Sequence, residues 1–65
     1  MNNLKKENIE KCIWHIQRHY DKLLNSEDDE FREYEIFHIQ ASIECLIRVL
    51  NNEKPYPNLD RDEVF

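Results

Sequence analysis

Apolar side chains in this chain fall into two runs with one rhythm. Ile9, Ile13, Ile16, Tyr20 and Leu23 follow each other at steps of four, three, four and three, and Ile36, Ile39, Ile43, Leu46 and Leu50 at three, four, three and four. Alternating steps of three and four return to one side of a helix that has about 3.6 residues per turn. The spacing therefore predicts two helices, over about residues 4–24 and 27–52, each with a seam for a helical neighbour. Cys12 and Leu24 flank the first seam, and Ile47 widens the second. A further line, Tyr34, Phe37, Ala41 and Cys45, runs along another side of the second helix. A helix that is apolar on more than one side wants more than one neighbour.

Terminal residues support the same two elements. Asn2 or Asn3 can cap the first helix, and Asn25 suits a left-handed position at its end. Ser26 reads as the N-cap of the second helix, with Asp29 at the capping-box position. Glu27, Asp28, Asp29 and Glu30 then sit at the positive end of a helix dipole, a structural role that needs no metal or partner. Lys54 precedes Pro55 and is steered out of helical geometry. With one or two residues between them, the helices fold back as an antiparallel hairpin in which facing residue numbers add to about 51. The domain reading is a helical hairpin over 1–54 and an extended tail over 55–65, either free or pinned by Leu59, Val64 and Phe65.

Composition sharpens this. There is no glycine in 65 residues, where the average usage of about 7% would give four or five; long helices with a tight connection account for that. So short a chain struggles to bury enough surface alone and commonly adds a metal, disulfides or a partner subunit. Two cysteines are too few for a disulfide scaffold, which points to reduced thiols and a cytoplasmic protein. No apolar run reaches the roughly 20 residues of a membrane span. The fold class expected is all-α: an antiparallel two-helix hairpin that self-associates, most simply as a homodimeric four-helix bundle.

A net charge of −5, from 14 acidic and 9 basic residues, argues against direct nucleic-acid binding. It leaves room for an acidic mimic of nucleic acid acting through Glu27, Asp28, Asp29, Glu30, Glu33 and Glu35. Trp14, His15, Arg18, Tyr34, Phe37 and His38 form a candidate aromatic and cationic patch outside the seams, of the residue types that most often carry interface energy. It would serve as an oligomer interface or a partner-protein site, or would stack a nucleotide-like ligand on Trp14 with Arg18 and His15 at its phosphate. Cys12, His15 and His19, with His38 across the hairpin, can be drawn as a tetrahedral zinc site, but the paired spacing of zinc motifs is absent, and no metal or cofactor is expected. Cys12 beside His15 lacks an orienting group or oxyanion donors, and Glu33 and Glu35 point to different sides, so no enzyme is expected. A bridge from Cys45 to Cys12 would span too many turns at the expected register. The resulting reading is a small non-enzymatic interaction protein, a regulator or inhibitor that binds and occludes a partner protein. Its Asn, Ile, Lys and Glu usage is that of an AT-rich genome, such as those of many bacteria and phages.

Overall fold

The computed structural model describes residues 2–65 and is all-helical over its regular elements: α1, Asn3–Asn25; α2, Asp29–Leu50; and a single 3-10 turn, Pro57–Leu59. The two long helices pack antiparallel as a hairpin measuring 40 × 21 × 16 Å. Among the described residues, no helix is long and apolar enough to cross a membrane.

Each helix end has a chemical cause. Asn2 is the N-cap of α1, its Oδ1 accepting from the Lys5 amide at 2.7 Å. The N-cap of α2 is Asp28 rather than Ser26: its carboxylate accepts from the Glu30 amide at 3.0 Å, and the helix starts two residues later than expected. Asp29 and Glu30 fill the first turn, where the helix dipole favours them. Ser26 instead ends α1 in extended geometry, and Arg32 Nε donates to its carbonyl at 3.0 Å. Asn25 is helical; the left-handed residue is Asn52, with φ 62°, at the other end of α2. There the Glu53 amide donates to the Arg48 carbonyl at 2.8 Å and the Asn52 amide to that of Val49 at 3.1 Å, the two bonds of a Schellman cap.

The three-residue loop resets the register. Lys5 Nζ donates to the Leu50 carbonyl and to Asn52 Oδ1, and His19 meets Glu35, so facing numbers add to 54–57, not 51. That shift brings Cys12 and Cys45 into one buried cluster with Val49 and Val64, instead of leaving them turns apart. Both remain free thiols.

The line of contact between the helices is not the aliphatic seam. The buried residues are Asn8 and Cys12 on α1 and Glu35, Cys45 and Val49 on α2. Ile13, Tyr20, Ile36, Ile43 and Leu50 are each more than 40% exposed, and Ile9, Ile16, Leu23, Ile39 and Leu46 are half-buried. At about 100° of turn per residue, the aliphatic stripe lies roughly 80° round α1 from the buried line and roughly 100° round α2, in the same rotational sense. Because the helices are antiparallel, equal-handed displacements carry both stripes to one face of the hairpin.

Residues 51–65 cover part of the opposite face and are not simply extended. Asp60 adopts left-handed geometry after the 3-10 turn, and Tyr56 pairs with Arg61 as an antiparallel bridge, with Lys54 meeting Asp60. Pro55 and Val64 are buried, whereas Leu59, an expected anchor, is exposed. The clamp is Asn8: its Nδ2 donates to the Asp62 carbonyl at 2.7 Å, and its Oδ1 accepts from the Val64 amide at 3.0 Å. Replacing Asn8 with alanine strips both groups of partners at a buried position, a loss of about 2–3 kcal/mol. Urea denaturation is expected to show that loss, with faster amide exchange at Val64. A change below about 0.5 kcal/mol would show that Asn8 does not hold the segment.

Candidate functional site

The face opposite the aliphatic stripe carries a connected series of aromatic rings. Trp14 meets His15 edge-on at 4.9 Å between ring centroids, and Arg18 lies over the Trp14 ring at 5.1 Å. His15 stacks towards His19 at 6.5 Å, and His19 stacks on His38 at 4.9 Å with the planes 18° apart. His38 in turn touches Tyr34 at 4.2 Å and Phe37 at 5.8 Å, and Phe31 extends the row from Tyr34 at 6.3 Å. All six patch residues expected from the sequence therefore belong to one array, but not by the contacts expected. At the true register Trp14 is not level with Phe37, nor Arg18 with Arg32 and Glu33; Trp14 stands at one end of the array, and Phe37 branches from His38 on the far side of His19.

His19 is the link between the helices, and Glu35 fixes it. The Glu35 carboxylate is 1% exposed, its Oε2 paired with His19 Nδ1, while its Oε1 has no hydrogen-bond partner among the described residues. Taking a carboxylate out of water without full hydrogen bonding is costly, so the imidazole is held to the one oxygen that has a partner. With Nδ1 committed to Glu35, the His19 ring is turned to stack on His38. His15 is fixed separately, its Nε2 2.6 Å from the Phe65 carbonyl. A groove of about 280 Å³ runs between the helices here, lined among others by His15, His19, His38, Ser42, Tyr56 and Phe65.

Both thiols lie inside the molecule. Burial, reinforced by nearby Cys45, pushes the Cys12 thiol up to about 11. Burial likewise pushes the Tyr56 phenol up to about 12, aided by Cys45. Cys45 Sγ donates to the Pro55 carbonyl at 3.1 Å. Near neutral pH the Cys12 thiol and the Tyr56 phenol stay protonated, and only the thiolate of a cysteine is nucleophilic. Cys12, His15, His19 and His38 do not converge on a point: among the described residues no group of three or more His, Cys, Asp or Glu side chains has the geometry to hold a metal ion. Beside Trp14 and Arg18 lies a shallow depression shared with Gln17, Asp21 and Lys22, in which two cations stand with one carboxylate.

Three positions of this site escape the sequence reading. His19 was visible only as a metal ligand, although it is the centre of the array. Phe31, one step from Tyr34 along α2, was left off it. Glu35 enters the sequence reading only among the acidic residues of a possible nucleic-acid mimic; its place three and four residues from His38 and Ile39 is the available signal that it faces α1.

Removing the hydrogen-bond partner of a buried carboxyl group leaves it unsatisfied, at a cost of about 1–3 kcal/mol. His19→Ala is expected to destabilise the chain by that order, and markedly less when Glu35 is already Gln. A double-mutant cycle by chemical denaturation measures the difference. Additive effects of the two substitutions would mean that the pair does not secure the array.

No family model matches this chain, and neither a curated protein nor a solved structure matches it.

Proposed function

We propose that the chain is a non-enzymatic interaction protein that acts as a twofold dimer, two hairpins packing stripe to stripe as a four-helix bundle and offering their outward aromatic arrays to a partner protein. The observation that carries this is the pair of contact lines on each helix. In a square bundle a helix has two neighbours in directions about 90° apart. Here the buried line and the aliphatic stripe are roughly 80° apart on α1 and 100° apart on α2. One line is used within the hairpin; the other has the composition and the three–four spacing of a helix-packing seam.

Surface area supports the same reading. A compact monomer of 8.1 kDa exposes about 4,500 Å², whereas this hairpin exposes 5020 Å². Four hydrophobic residues are buried, against fourteen large ones left exposed, five of which, Ile13, Tyr20, Ile36, Ile43 and Leu50, lie on the stripe. An exposed apolar row of that kind marks an interaction site.

With the stripe covered, the array from Trp14 to Phe31 stays outward, with Phe37 and Tyr34 its most exposed α2 rings. Beside it stand Asp28 and Glu30, which share a depression with Phe31 and Tyr34. The partner surface that complements this arrangement is apolar at its centre and basic at its edge, and occlusion of such a surface is the proposed mode of action.

Ile43→Glu places a charge in the stripe twice per dimer and is expected to weaken self-association on the order of a thousandfold, leaving helical monomers. Sedimentation velocity with circular dichroism checks this; an unchanged dimer, or a wild-type protein that is monomeric at every concentration, overturns the bundle. Phe37→Ala is expected to keep the dimer and lose most of the partner captured by the wild-type protein. Equal capture of the same partner by both would remove the array from the interface.

A further inference from the structure

Two arrangements bring the stripes of two hairpins together with every neighbouring helix antiparallel. In one, both loops lie at the same end of the bundle and α1 packs on α2 of the second copy. In the other, the loops lie at opposite ends, so that α1 packs on α1 and α2 on α2. Apolar matching does not separate them. With loops together, the register that aligns the hairpin also aligns Ile9 with Leu46, Ile13 with Ile43, Ile16 with Ile39 and Tyr20 with Ile36 of the second copy. With loops apart, the α1 stripe reads the same in either direction about Ile16, so Ile9 meets Leu23, Ile13 meets Tyr20 and Ile16 meets itself. On α2, Ile36 then meets Ile43 and Ile39 meets itself. Each arrangement engages eight stripe residues per copy.

Charge does separate them. Residues 14–40, the loop half of the hairpin, contain seven acidic and three basic side chains and hold −4 of the net −5; the remainder is balanced to within one charge. Loops together would set two strongly acidic ends side by side, with Asp28, Asp29 and Glu30 of both copies within a few ångströms to a Debye length of each other. Loops apart put each acidic end beside a nearly neutral one, at no loss of apolar contact. From this balance we infer that the second copy docks with its loop at the opposite end of the bundle, the twofold axis passing between the two Ile16 and the two Ile39 side chains. The inference rests on the dimeric reading above and adds the orientation of its partner.

A nitroxide attached through Glu27→Cys reports the orientation directly, because the native thiols of Cys12 and Cys45 are buried and stay unlabelled. From helical rise and the level of Ile16, the two labels lie about 35 Å apart with loops opposed and within about 20 Å with loops together. Pulsed dipolar spectroscopy on the full chain, with sedimentation of the same labelled sample, gives the answer. A distance near 35 Å in a dimeric sample supports the opposed orientation. A distance below about 20 Å in a dimeric sample overturns it while the dimer itself stands. A sample that sediments as monomer overturns both.

Discussion

Two helices of nearly equal length joined by three residues can face each other along only one line, and most features of this molecule follow from which line that is. It passes through Asn8, Cys12 and His19 on α1 and through Glu35, Cys45 and Val49 on α2. The line is narrow and partly polar. It buries two small thiols and a valine where an ordinary hairpin would bury isoleucines and leucines, and it needs specific partners for the polar groups it takes out of water. His19 supplies one for Glu35. The backbone of residues 62–64 supplies the others, for Asn8. A line of this kind sets register sharply, because a slip would leave a buried carboxylate and a buried carboxamide unpaired.

The segment after α2 is therefore part of the hairpin and not an appendage. Asn52 in left-handed geometry turns the chain back, Pro55 accepts from the Cys45 thiol, and Val64 joins the core cluster beside Cys12. Arg61 lies over the Phe65 ring at 4.0 Å, and that ring packs against Tyr56 at 4.8 Å. Residues 55–65 thus act as a third layer on one face, shielding thiols that two helices alone would leave half wet. The other face receives no such cover.

Much of this was legible before the structure. The three–four spacing located both helices, and Asn2, the acidic first turn of α2 and Pro55 marked their ends. Register was not legible, because it depends on whether one, two or three residues of Asn25–Asp28 leave the helices, and both Ser26 and Asp28 can cap the second helix there. The three-residue answer moved every cross-helix pairing by about one turn. It united Cys12 with Cys45 and separated Trp14 from Phe37. Period alone also cannot say whether a stripe faces a neighbour in the same chain or elsewhere. Spacing favours the most regular aliphatic stripe as the hairpin seam, whereas the less regular Asn8–Cys12–His19 line holds that place. Aromatic grouping fared better, since Trp14, His15, Tyr34 and His38 lie on the same side at either register; only the connecting role of His19 needed side-chain geometry.

The division of labour between the two faces has a consequence for how the proposed assembly would behave. His19 belongs both to the line that sets register and to the array that would meet a partner, while the stripe on the other face takes its level from that same register. A partner that pulled on Tyr34 or His38 would act on the His19–Glu35 contact before anything else, since His38 stacks on His19 and the carboxylate has no second partner among the described residues. Any resulting shift of α2 against α1 would misalign the paired stripes of two copies together, because both helices of each hairpin contribute to the bundle. In the proposed assembly both surfaces lean on one contact, that of the half-buried His19 with the buried Glu35 between the two helices.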